Sequence, residues 1–129
     1  MYGLAGARDF VVKHSRIIIP APDLKLSEWA DEKFYLSPES AAEPGKWRTY
    51  SYQRGPMDAI TDLRNHKVTW KKSARVGYTK MINCAIAYHI EHDPCPQLVV
   101  QPTIEDGKGY SRDEVEPMIR DTPCLTGLV

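Results

Sequence analysis

A single glycine turn set among cations joins a strand-favouring run to a run of helical spacing: Val68-Thr69-Trp70-Lys71-Lys72-Ser73-Ala74-Arg75-Val76-Gly77-Tyr78-Thr79-Lys80. No other stretch of the 129 residues limits the fold as much. Val68, Thr69 and Trp70 favour extended backbone. Met81, Ile82, Ala85, Ile86 and Ile90 recur at the three-to-four spacing of an amphipathic helix that opens at Thr79. Strand, tight loop and helix in that order aim the free N–H groups and the positive dipole end of the helix at the loop, where an anion is favoured.

The usual phosphate-binding loop has the form G-x-x-x-x-G-K-[ST], its amides and lysine holding phosphates and its hydroxyl reaching Mg²⁺. Here the frame is Lys72, four residues, then Gly77-Tyr78-Thr79. Glycine and hydroxyl stand in place, and the lysine has moved to the front of the loop. Lys71 belongs to the strand end and Lys80 follows the hydroxyl, so Lys72 is the candidate phosphate cation, with Arg75 adding charge at a leaving phosphate. Ser73, Ala74, Val76 and Tyr78 complete the backbone cradle, and Thr79 is the candidate Mg²⁺ ligand. The same residues also fit a basic turn that binds no nucleotide. With Lys67 and Lys80 they could form a DNA patch, although the tight spacing favours one phosphate group over a long polyanion.

The rest of the chain is read as α/β. Residues 1–22 form a tail with a strand at 16–19, and helices are expected at 27–34, 51–62 and 79–92. Pro56 falls near the first turn of the second helix, where proline is tolerated. Gln97-Leu98-Val99-Val100-Gln101 reads as a buried strand, and a right-handed crossover would make it parallel to residues 67–70 in a βαβ unit. Ser111-Arg112-Asp113-Glu114 has the form of a capping box, starting a helix that buries Val115, Met118 and Ile119. Asp31-Glu32 lies on the polar side of the first helix and is expected to be solvated. His89, Glu91, His92, Asp93 and Cys95 could ligate zinc, but their spacing fits a helix end before Pro94 better.

Seventeen Lys and Arg balance seventeen Asp and Glu, so no bulk charge draws the chain to nucleic acid. The three cysteines form no C-x-x-C pair, which favours reduced thiols. No run approaches the about 20 apolar residues that cross a bilayer. So short a sheet leaves open edges, from which self-association is expected.

Together with its flanks, the loop resembles the N-terminal part of the large terminase subunit of lambda-type tailed bacteriophages. The stretches that carry the likeness run from Ser27-Glu28-Trp29-Ala30-Asp31-Glu32-Lys33-Phe34-Tyr35-Leu36 through Pro44-Gly45-Lys46-Trp47-Arg48-Thr49 and Tyr52-Gln53-Arg54. They continue with residues 72–80 and Val99-Val100-Gln101-Pro102-Thr103. The resemblance implies an ATP- and Mg²⁺-dependent motor that threads viral double-stranded DNA into a procapsid through its portal, with the small terminase subunit as partner, in the cytoplasm of a bacterial host. It also implies that Lys72 is the displaced loop lysine, Thr79 the metal ligand, and Tyr52 with Gln53 the adenine-side contact. On this reading residues 1–23 are a tail or linker and 24–129 an incomplete P-loop NTPase domain with a parallel βαβ unit around a deviant Walker A loop. The family's acidic Walker B strand and its nuclease are not found, so the expectation is a fragment, from a prophage or a partial reading frame. A non-catalytic remnant acting as a protein-interaction module is the other reading.

Overall fold

The computed structural model describes residues 23–128; the expected tail and the strand at 16–19 lie outside them. Helix α1 spans Leu26–Lys33 and opens where the Glu28 carboxylate accepts the Lys25 N–H at 3.3 Å. Two short strands, β1 (Tyr35–Leu36) and β2 (Gly45–Lys46), pair antiparallel with Tyr35 opposite Lys46. Helix α2 covers Ser51–Thr61, and α3 covers Tyr78–Glu91. A last helical stretch is α4 (Ile104–Tyr110), a π-helical turn (Ser111–Val115) and α5 (Glu116–Asp121).

The core forms where α1 packs on α2 and α3, with α5 closing against β1 and α3. Leu26, Trp29, Ala30, Phe34, Met57, Cys84 and Leu125 are almost wholly buried. Trp29 meets Tyr88 edge to face at 5.7 Å and Phe34 meets Trp47 at 6.1 Å, so aromatic side chains carry much of the apolar burial. Full burial of each large apolar side chain is worth about 1.5–3 kcal/mol. One ion pair seals the side of this core: the Glu91 carboxylate accepts from the Trp29 indole at 2.8 Å and from Lys33 Nζ at 2.9 Å. Burial pushes the Glu91 carboxyl up, but the Trp29 and Lys33 donors outweigh it and leave the group below the usual carboxylate range.

Four expectations are corrected. The parallel βαβ unit is not formed among the described residues, whose single sheet is the β1–β2 pair. Residues 67–70 and 97–101 carry no ladder, and the run expected to be a buried strand is open to solvent, with Leu98 87% and Val100 78% exposed. A lone extended segment has no partner for its N–H and C=O groups, so strand propensity alone cannot make a sheet. The last helical stretch starts at Thr103, eight residues earlier than the expected Ser111 cap, because the Thr103 hydroxyl accepts the Asp106 N–H at 3.1 Å. Met118 is buried and Val115 and Ile119 pack against the core as expected. Asp31 is not merely solvated: it accepts the Thr49 N–H at 2.6 Å and pairs with Arg54 at 3.2 Å. Pro56 is the sixth residue of α2 and not a first-turn proline, so the Tyr52 carbonyl receives no N–H from it.

Candidate phosphate-binding site

The loop turns back on itself through two left-handed residues, Arg75 at φ 59° and Gly77 at φ 78°. Gly77 is the N-cap of α3 and its carbonyl accepts the Met81 N–H at 3.0 Å, which starts the helix immediately after the turn. The N–H groups of Val76, Gly77, Tyr78 and Thr79 donate to no acceptor among the described residues. Free amides at the start of a 14-residue helix, with two cations beside them, are the kind of surroundings that favour an anion.

A concavity of about 210 Å³ lies against these amides, lined by Lys72, Arg75, Val76, Gly77, Tyr78, Thr79 and Lys80. The Lys72 amine stands 5.0 Å from the centroid of the Tyr78 ring, a cation–π contact at the rim. Lys80 is differently employed. Its amine is bound by the Glu114 carboxylate and the Ser40 hydroxyl at 2.8 Å, so its charge is already paired. Glu114 also accepts from Asn83 Nδ2 at 2.8 Å, and the Tyr110 hydroxyl donates to Asn83 Oδ1. Burial first and the Glu114 charge second push the Tyr110 phenol up to about 12, so it remains a donor near neutrality. This network fastens the first turns of α3 to the π-helical turn, and sequence reasoning missed it. The signal for it is weak, since the spacing of Ser111 and Glu114 fits a capping box equally well.

Beside the concavity is a second pocket of about 400 Å³ with aromatic walls from Tyr52, Trp70 and Tyr78, and with Lys72, Ser73 and Val76 on its edge. Tyr52 is 57% exposed and stacks on Tyr50 at 5.7 Å with the rings 4° from parallel. Gln53 is elsewhere. It is 2% exposed, lines neither pocket, accepts the Tyr50 N–H at 3.0 Å and donates to the Val76 carbonyl at 3.1 Å. Of the sequence-predicted residues, Lys72, Arg75, Val76, Gly77, Tyr78 and Thr79 share the concavity, Tyr52 and Ser73 line the neighbouring pocket, and Ala74 forms the turn between.

Larger hollows exist, but their charge is wrong for a polyphosphate. A groove of about 750 Å³ on the far side of Thr79 presents Glu105, Asp106, Asp113 and Glu114, and one of about 800 Å³ near α1 and α2 presents Asp23, Glu28, Asp58 and Asp62 against only Lys25 and Arg64. Like charges disfavour an anion there. The residues weighed for zinc do not converge: no group of three or more His, Cys, Asp and Glu side chains among the described residues could hold a metal. His89 instead places Nδ1 3.2 Å from the Asp93 carbonyl at the helix end. Cys84, Cys95 and Cys124 are free thiols.

Comparison with known proteins bears on this site. The family described as phage terminase large subunit gpA, ATPase domain, matches residues 41–129, which include the whole loop. The terminase large subunit of Escherichia phage lambda is 44% identical over 109 residues, covering 84% of this chain and 17% of that protein. That of Enterobacteria phage P21 is 41% identical over 112 residues, 87% of this chain and again 17% of the relative. The chain therefore spans 17% of the length of these curated relatives. No solved structure matches.

Proposed function

The chain belongs to the ATPase-domain family of gpA-type phage terminase large subunits, and on that premise we propose that it supplies the nucleotide-binding part of a viral DNA-packaging motor. The observation that carries this reading is the set of unengaged amides from Val76 to Thr79, in residues that line a small basic concavity. Triphosphate oxygens take those N–H groups. The Lys72 ammonium, held over the Tyr78 ring without a carboxylate partner among the described residues, moves onto the outer phosphates, and Arg75 stabilises charge on the leaving group. The nucleobase lies toward the Tyr52 ring at the Tyr52–Gln53 end of α2.

Mg²⁺ fits the donor set. It keeps several waters and is commonly held by one or two protein oxygens plus substrate phosphates, and the Thr79 hydroxyl on the wall of the concavity is such an oxygen. When bound, the ion neutralises developing phosphate charge. Residues 24–129 are the partial ATPase domain and 1–23 a leading tail. Residues 72–79 are the deviant Walker A loop of that domain. The motor's partners are the small terminase subunit, the portal of the procapsid and double-stranded viral DNA, in the cytoplasm of the bacterial host. No helix among the described residues is long and apolar enough to cross a membrane.

Titration of the chain with a non-hydrolysable ATP analogue and Mg²⁺ by calorimetry tests the reading. Saturable binding is expected, with a loss of roughly tenfold or more for Lys72→Ala, the order of a charge-assisted contact. No binding, or equal binding by the variant, overturns it. Exposed Leu98, Val100 and Ile104 favour a second reading, a protein-interaction module, which would be preferred if nucleotide binds without turnover and these residues become covered by another protein.

A further inference from the structure

Gln53 reaches from the start of α2 into the phosphate loop 23 residues later. Its amide is used at both ends, accepting from Tyr50 N–H at 3.0 Å and donating to the Val76 carbonyl at 3.1 Å, and the side chain is 2% exposed. It is also packed tightly against the turn, since a Cβ on Gly77 would stand 2.8 Å from Gln53 Nε2. A glutamine so placed has no open face toward a base.

The Val76 carbonyl and the Gly77 N–H belong to one planar trans peptide and point to opposite sides of it. Holding the carbonyl toward Gln53 therefore turns the Gly77 N–H away from Gln53. Gly77 lines the concavity and Gln53 does not. The bond also spans the two halves of the proposed ligand site, because its other end is fixed to Tyr50, whose ring stacks on Tyr52. We propose that Gln53 is a positioning residue for phosphate, which acts through the Val76–Gly77 peptide and couples the tyrosine side of the site to the loop amides. The proposal rests on the nucleotide reading above and changes what Gln53 contributes to it, from a contact with the base to control of the loop.

Calorimetric titrations with Mg²⁺ and ATP, GTP or inorganic tripolyphosphate separate these roles, because tripolyphosphate has no base. Gln53→Glu keeps an acceptor for Tyr50 N–H and places a carboxylate against the Val76 carbonyl. At pH 8 it should weaken ATP and tripolyphosphate equally, by roughly three- to tenfold, and leave the ATP to GTP ratio unchanged. As pH falls and the new carboxyl takes up a proton, its O–H can donate to Val76, so the loss relative to the unmodified chain should shrink. Gln53→Leu, of similar size, should show the same equal loss at every pH and provides the test should the first variant fail to fold. Loss for ATP alone, with the ATP to GTP ratio moving toward one, makes Gln53 a base reader and overturns the proposal. A lower melting temperature with tripolyphosphate affinity intact while folded makes the residue merely structural and also overturns it. If the unmodified chain binds neither ligand, the nucleotide reading itself fails, and the proposal with it.

Discussion

Lys72, Gly77 and Thr79 stand at the spacing a phosphate loop needs for a cation, a close-approach glycine and a hydroxyl, and the fold brings all three to one concavity. Gln53 could not be read in the same way. Its burial is decided by a loop that returns to it from 23 positions downstream, and no local pattern records that return. The one local hint was its place three residues after Tyr50, where a glutamine can reach back to the N-cap amide. Gly77 is the residue with least tolerance here. An alanine would have to adopt φ 78° and would press its methyl group on the Gln53 amide. Gly77→Ala should lower stability by about 1–2 kcal/mol through the left-handed backbone alone. A lower melting temperature together with weaker ATP binding would bear this out, and an unchanged melt would show that the turn does not need the glycine.

At the scale of elements, the sequence spoke clearly for α1, α2 and α3, whose apolar positions recur on one side and meet a common core. The expected ranges 27–34, 51–62 and 79–92 differ from the observed ones by a residue at most ends. Helix α4 was missed because it buries none of its residues and contains Gly107 and Gly109, so no apolar stripe marked it; only the Thr103 cap did. Element contacts also set an acid limit. The Glu91 carboxylate joins the end of α3 to Trp29 and Lys33 on α1, and its folded-state pKa lies below the ordinary value of 4.5. A depressed carboxylate pKa adds stability above that value, and the contribution disappears as pH falls through the lower, folded-state pKa. Thermal melts should therefore fall from about pH 4.5 downward more steeply in the unmodified chain than in Glu91→Gln, which is less stable at pH 7. Parallel pH profiles for the two would contradict this.

Over the whole molecule, the α/β expectation divides. The helical layer and its aromatic core are complete enough to hold the basic turn in shape, whereas the parallel strands are absent from the described residues. Strand formation depends on neighbours, and a period-two or apolar run states only a willingness to pair. The outcome is an apolar surface: Leu98, Val99, Val100 and Ile104 are 45–87% exposed within seven residues. Such a patch favours association. Sedimentation at rising concentration should show self-association that Leu98→Lys with Val100→Lys reduces, with the melting temperature little changed because neither side chain packs in the core. A strictly monomeric chain at high concentration would count against it.

Helix α3 begins at the basic glycine turn and ends at the Trp29–Glu91–Lys33 anchor, and its 14 residues make a rod about 21 Å long. A helix of this length resists compression along its axis, and both of its ends are fastened to different parts of the protein. A displacement of the turn at one end would therefore be felt at α1, on the opposite side of the core.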